Sequence, residues 1–344
     1  MSPQPPRDDP ARIAARQQSA ERLAAGQLPL ESMARLADLS SSGTYTSDLS
    51  VAEHNAIHSV GFRPVGQVMG ASVFNISYSG SWRCGYMPTY GGYGYRGGYG
   101  MQQVGWNPGG VTPLEMAPLS DALDTLRHQA LSRMLAECTA LGGDGVVGVT
   151  VRFGRFAQQP YAIELELIGT AVRATGDVRP RQPFGSDLSG EDFAKLVMHG
   201  WVPCGLLLVA TSWIRHDDWL TRSQESQLTT SNVEITGHSE LIHAGRHAVR
   251  QRLATDASRM GADGVVVANM TMNLHEKECS NGGGQDHVVE VSAMGTAIAR
   301  FTSQRRAARQ HRSPAVLPLR PFSHSRSPGQ TGPQRGPRPQ AAGR

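Results

Sequence analysis

Apolar residues recur along this chain with two periods, and the same succession of periods occurs twice. Leu119, Leu123, Leu126, Ala130, Met134, Cys138 and Leu141 fall three or four apart, which predicts an amphipathic helix over 119–141. The period then drops to two. Val147, Val149, Val151 and Phe153 alternate with Gly148, Thr150 and Arg152, and Ile163, Leu165 and Leu167 alternate with Glu164 and Glu166. Such alternation predicts strands with one packed face and one wet face. An earlier strand is expected over 62–77. The second half follows suit, with a strand over 201–214, a helix over 233–260 and a strand carrying Val289, Val291 and Ala293. Short helical turns over 50–58 and 189–198 open the two halves. The hydroxyls of Ser50 and Ser189 can cap them, with Glu53 and Asp192 at the capping-box position. Gly142 and Gly261 stand where a left-handed C-cap would end the long helices.

The residues repeat as well as the pattern. Leu141-Gly142-Gly143-Asp144-Gly145-Val146-Val147 returns 119 positions later as Met260-Gly261-Ala262-Asp263-Gly264-Val265-Val266. Gly169-Thr170-Ala171-Val172 returns as Gly295-Thr296-Ala297-Ile298. Leu49-Ser50, Gly61-Phe62 and Pro64-Val65-Gly66 return 139 positions later as Leu188-Ser189, Gly200-Trp201 and Pro203-Cys204-Gly205. Several motifs recurring in one order mark a duplicated unit. The expected fold class is α+β: two tandem β-α-β-β modules, each a small antiparallel sheet covered by one long helix. The expected boundaries are an N-terminal extension over 1–48 with one short helix around 11–25, a first module over 49–174 and a linker over 175–187. A second module over 188–302 and an unstructured Arg/Pro-rich tail over 303–344 complete the chain. A three-stranded sheet leaves two unpaired edges, so oligomerisation is expected from the fold.

The strand Pro64-Val65-Gly66-Gln67-Val68-Met69-Gly70, the Arg-bearing helix, Leu141-Gly142-Gly143-Asp144-Gly145-Val146-Val147-Gly148 and Gly169-Thr170-Ala171-Val172 resemble the YbjQ-like family, labelled a heavy-metal-binding domain. The resemblance covers residues 60–174 well and 199–302 more loosely. It implies dodecin-like modules, assembly as rings of five and, from the label alone, a divalent metal as cofactor. With two modules per chain, five chains could stack two rings, one per repeat. The chain departs from the family in carrying two modules, a Gly/Tyr-rich insert over 79–113 and an Arg-rich tail.

Charge changes the picture in one place. The net charge is +4, yet residues 301–344 hold nine Arg and no Asp, Glu or Lys, which leaves about −5 on the rest. A basic nucleic-acid-binding surface on the folded part is therefore not expected, while the tail can bind a polyanion. The insert holds 11 Gly, five Tyr and two Trp and reads as a surface loop, although its aromatics could stack on bases. No apolar run is long enough for a transmembrane helix, and no secretory signal is evident, so the expected compartment is cytoplasmic. The four cysteines are unmatched between the repeats and form no CxxC, which argues against a disulfide framework.

Two sets of residues are candidate sites. Arg127 and Glu137 fall inside the apolar stripe of the first long helix, and Arg246 and Asp256 occupy the matched positions of the second. A charge on a core-facing stripe needs a partner. Arg127 and Glu137 are about 15 Å apart along their helix and cannot pair within it. Arg127 could snorkel at the stripe edge, pair between modules or face a ligand. The second set is metal-ligating: His243 and His247 lie four apart on one helix face, matched by Asp124 and His128. That face is opposite the stripe and no third ligand is evident, so exposed polar residues are the competing reading. The same holds for His275 and Cys279. No P-loop, nucleophile elbow or HExxH occurs, so no enzyme is expected. These observations describe a non-catalytic oligomeric protein with a metal or small ligand at module interfaces. The alternative is a ring-forming scaffold whose Arg-rich tail and Gly/Tyr loop bind a polyanion or a protein partner.

Overall fold

A computed structural model describes residues 9–43, 45–76, 111–156, 159–177, 179–226, 232–279, 285–300 and 315–318. Most of the Gly/Tyr insert lies outside them, as does most of the tail. The first module runs α3 (Val51–Ser59), β1 (Phe62–Asn75), β2 (Leu114–Glu115), α4 (Ala117–Ala140), β3 (Gly145–Phe156) and β4 (Gln159–Ala174), preceded by α1 (Pro10–Ala24) and α2 (Leu30–Ser42). A linker strand β5 (Phe184–Gly185) leads to α5 (Gly190–Met198), β6 (Trp201–His216), α6 (Trp219–Glu225), α7 (Thr236–Arg259), β7 (Gly264–Glu278) and β8 (Gln285–Arg300), and then to β9 (Ala315–Pro318). The fold is α+β, with strand orders β1-β4-β3-β5 and β2-β6-β8-β7-β9 in its two sheets.

The two modules keep one register. Val68 pairs with Gly169 as Leu207 pairs with Gly295, and Gly145 pairs with Val172 as Gly264 pairs with Ile298. Ser50 and Ser189 cap α3 and α5 as the sequence predicts, each accepting from the N–H three residues on. Gly142 and Gly261 adopt left-handed φ of 70° and 72°. Asp144 and Asp263 brace the strand entries by accepting from the N–H groups of Ala174 and Arg300.

Helix α4 is shared between the sheets. Leu126, Ala130 and Met134 pack with Val68, Leu165 and Leu167 of the first sheet and also with Leu206, Ala210, Ile214 and Val288 of the second. Helix α7 covers the other face of the second sheet, where Leu241, Val249 and Leu253 meet Leu207, Val209, Val289 and Val291. The layers therefore run sheet, helix, sheet, helix. Strand β2, which leads into α4, pairs with β6 of the second module, Leu114 opposite Ile214 and Glu115 opposite Trp213.

Close approach of helix to sheet is solved differently in the two modules. In the first, glycine is on the strand: a Cβ at Gly70 would lie 2.0 Å from the Ala130 carbonyl oxygen and 2.7 Å from Met134 N. In the second, Val209 takes that strand position and the glycine is on the helix, where a Cβ at Gly245 would lie 2.7 Å from Val291.

Three expectations need correction. The extension carries a second helix, α2, beyond the one expected around 11–25, because Leu36 and Leu28 find apolar cover and Ser19 and Glu31 tie α1 to α2. The linker over 175–187 contributes β5, parallel to β3. The tail is not wholly unstructured: its apolar Ala315-Val316-Leu317-Pro318 pairs in parallel with the open edge of β7 at Gly264–Val267.

Gly70→Ala should cost about 1–3 kcal/mol, since the helix must move off the strand. A urea unfolding midpoint unchanged from the parent would refute the packing described. Glu137 is buried, accepts from Met69 N–H at 2.8 Å and also holds Arg35 of α2. Glu137→Ala should therefore destabilise by about 1–3 kcal/mol through the unpaired strand amide, and should raise proteolysis within residues 9–43.

Candidate metal centre

Strands β6 and β8 end side by side in two inverted His/Asp dipeptides. His216-Asp217 runs up one strand and Asp286-His287 down the other, with His216 opposite Asp286 and Arg215 opposite His287. Because side chains alternate across a sheet, each face receives one histidine and one aspartate. On one face His216 Nδ1 lies 2.7 Å from Asp286 Oδ1, with Cys279 close by. On the other, His287 Nδ1 lies 2.9 Å from Asp217 Oδ1.

The second face is completed by helices. Asp218 caps α6 by accepting from Thr221 N–H, which sets the helix so that Glu225 in its last turn faces the strands. His238 is in the first turn of α7, its ring centroid 4.0 Å from that of His287. Gly237 before it lets the helix come this near: a Cβ there would lie 2.3 Å from both Arg215 Nη1 and Thr221 Oγ1. The result is a group of four, Asp217, Glu225, His238 and His287, each offering a donor atom within 4.8 Å of the others.

The group is not satisfied from within. His238 Nε2 is 2.8 Å from Glu225 Oε1, but not in hydrogen-bonding geometry, and both atoms are buried without a hydrogen-bond partner. Asp217 Oδ2 is orphaned in the same way. Burial lowers the His238 pKa, and the charge of His287 lowers it further. Burial also acts to lower the pKa of His287, but the hydrogen bond and charge of Asp217 outweigh it and raise the value. Glu225 is raised by burial and then by Asp217. Arg215 flanks the group and is engaged elsewhere, donating to Thr221 and Asp218.

The chemistry of this donor set fits a divalent transition metal. Two imidazoles and two carboxylates match the ligands of Zn²⁺ and related ions, and ligand bonds of about 2.0–2.1 Å place tetrahedral donors about 3.4 Å apart. The orphaned atoms are those that a cation would satisfy.

The residues that sequence reasoning selected lie elsewhere. His243 and His247 are exposed on α7. Asp124 is engaged by Arg252 at 3.0 Å, and His128 is exposed with its Nδ1 2.7 Å from the Asp124 carbonyl oxygen. None of them joins a group of three or more possible ligands among the described residues. Arg127 and Glu137 are buried, as the stripe predicts, but their environments differ from each other. Glu137 pairs with Arg35 of the N-terminal extension. Arg127 faces Asp124 of its own helix and Glu290 of the second sheet, and burial pushes its pKa down to about 10. Its Nη1 has no hydrogen-bond partner. The matched Arg246 is exposed and Asp256 pairs with Arg259 at 3.1 Å, because no sheet among the described residues lies on the outer side of α7. Cys279 does reach a cluster, while His275 is half exposed beside Glu290. The signal that could have revealed the centre was the pair of dipeptides His216-Asp217 and Asp286-His287, which repeat one lacks.

The fold and this centre define a tandem, metal-compatible α+β protein. Residues 111–175 match the YbjQ family model, described as "putative heavy-metal-binding". The chain is also similar to an encapsulin nanocompartment protein of Mycobacterium tuberculosis, 29% identical over 265 residues that cover 76% of this chain and 87% of that protein. No helix among the described residues is long and apolar enough to cross a membrane.

Arg127→Met should be neutral or stabilising by about 1 kcal/mol, since it removes a desolvated cation while keeping its packing volume. A loss of several kcal/mol in a chemical-denaturation experiment would instead show that the Asp124 and Glu290 attraction exceeds the cost of burial.

Proposed function

We propose that this is an oligomeric, non-catalytic YbjQ-like protein of the cytoplasm whose second module binds a divalent transition metal through Asp217, Glu225, His238 and His287. The observation that carries the reading is the buried set of two imidazoles and two carboxylates with unsatisfied donor atoms at its centre. The description of the family matching residues 111–175 supports a metal, although the centre lies in the other module. Membership of the second module in the same family is part of this proposal, supported by its identical strand register. The similarity to an encapsulin nanocompartment protein supports an assembled state and a compartment within the cell. Binding a polyanion through residues 303–344 is a secondary role, supported by the nine arginines there.

Zinc titration calorimetry on the full chain tests the centre. One equivalent should bind, and the His238→Ala/His287→Ala variant should lose at least tenfold in affinity while keeping its circular dichroism spectrum. His243→Ala/His247→Ala should bind as the parent does. Zinc binding that survives in the first variant, or is absent from the parent, rules the centre out.

A further inference from the structure

We infer that the second module also binds copper(I), on the face of its sheet opposite the four-ligand centre. The ligands are the Cys279 thiolate and the His216 imidazole, with Asp286 orienting the imidazole. The two sites share a strand pair but no ligand, so this one stands or falls without the other.

Three strands bring the group together. At one level of the sheet His216 of β6 stands opposite Asp286 of β8, and Asp286 stands opposite Lys277 of β7. Cys279 comes two residues after Lys277, just past the end of β7, and alternation returns it to the same face. Ile214 and Val288, the next pair inward on that face, belong to the apolar core around α4. The group therefore sits at the end of the layer that this sheet shares with α4. Cys279, His216 and Asp286 are 9%, 5% and 1% exposed, and they offer donor atoms within 4.8 Å of one another.

Cys138, the other buried thiol among the described residues, is the ordinary case. It belongs to the apolar core around α4 and donates to the Gly145 carbonyl, and burial pushes its pKa up to about 12. Such a thiol is inert. Cys279 is equally free of any disulfide, but it belongs to none of the apolar clusters and lies against an imidazole and a carboxylate. Those are the surroundings of a ligand and not of a core residue.

The donors select the ion. A carboxylate can only accept, so the 2.7 Å contact with Asp286 puts the proton of the neutral ring on His216 Nδ1 and the lone pair on Nε2. A carboxylate on the far N–H is how metal-bound imidazoles are held in one tautomer and one orientation. His216 Nε2 and Cys279 Sγ are then the ligand atoms, one nitrogen and one soft sulfur. That pair suits copper(I), a soft ion satisfied by few ligands. Structural zinc takes four.

Charge points the same way. Copper(I) displaces the thiol proton, Cys–SH + Cu⁺ → Cys–S–Cu + H⁺, and leaves the buried charge as it was. Zn²⁺ in that place would add one positive charge, with Lys277 already opposite Asp286. An unbalanced charge in a buried site is costly. On the other face Asp217 and Glu225 supply the two negative charges that match a divalent ion. The sheet thus sorts ions between its faces by charge and by softness.

The test offers copper(I), held by a chromophoric chelator in oxygen-free buffer, to the full chain. The parent should withdraw one equivalent more than Cys279→Ser does. His216→Asn keeps a side-chain N–H for Asp286 but has no ring nitrogen to ligate, and it should lose about tenfold or more in copper(I) affinity. Both variants should bind zinc as the parent does. His238→Ala/His287→Ala should keep its copper(I), so the two centres fail separately. A parent that withdraws no copper(I) overturns the inference, as does a Cys279→Ser variant that withdraws as much or a His216→Asn variant that binds unchanged. A zinc equivalent lost with Cys279→Ser overturns it too, because the thiol would then belong to the divalent ion.

Discussion

Every layer of this molecule depends on helix α4 lying between two sheets. A three-stranded sheet buries one face beneath its own helix and leaves the other wet, with its edge strands unpaired. In the second module this deficit is made good by the first: α4 takes the otherwise wet face of β6 and β8, and β2 and Asp124 close the edge of β6. That arrangement explains why a helix expected to be amphipathic is apolar on more than one side. It also explains why Arg127 is buried, facing Glu290 of the second sheet as well as Asp124 of its own helix.

The same constraint separates what could be read from the residues and what could not. The strands that bear the alternation, the C-caps and the two long helices follow from local periods and from the repeated Asp-Gly-Val-Val motifs, so they were legible. The place of Arg127 and Glu137 inside the apolar stripe was legible, while snorkelling and pairing stayed open for Arg127. Their partners were not, because Arg35 and Glu290 are distant in sequence and the helix holding Arg35 was not expected. Arg246 shows the limit of arguing by matched position. It has the same place on its helix as Arg127 but a different neighbourhood, and burial is a property of the neighbourhood.

The candidate metal centre was illegible for a related reason. Its ligands come from the residue after β6 and from α6, α7 and β8, and only the pairing of two strands brings His216-Asp217 against Asp286-His287. Helical spacing drew attention to His243 and His247 instead, on a face that nothing among the described residues covers. The centre is also absent from the first module, where Leu119 stands at the position of His238 and Tyr161 at that of His287.

The linker strand β5 has a thermodynamic consequence of its own. It runs along β3 of the first module while Ser186 and Asp187, just beyond it, hydrogen-bond to Thr296 of the second. The chain thereby ties the two modules through a segment that is itself part of their contact. Joining two partners covalently replaces a bulk concentration by an effective one set by the tether, of millimolar order for short linkers. The junction between the modules is therefore indifferent to dilution. Whatever the abundance of the protein, its two modules meet at the same effective concentration.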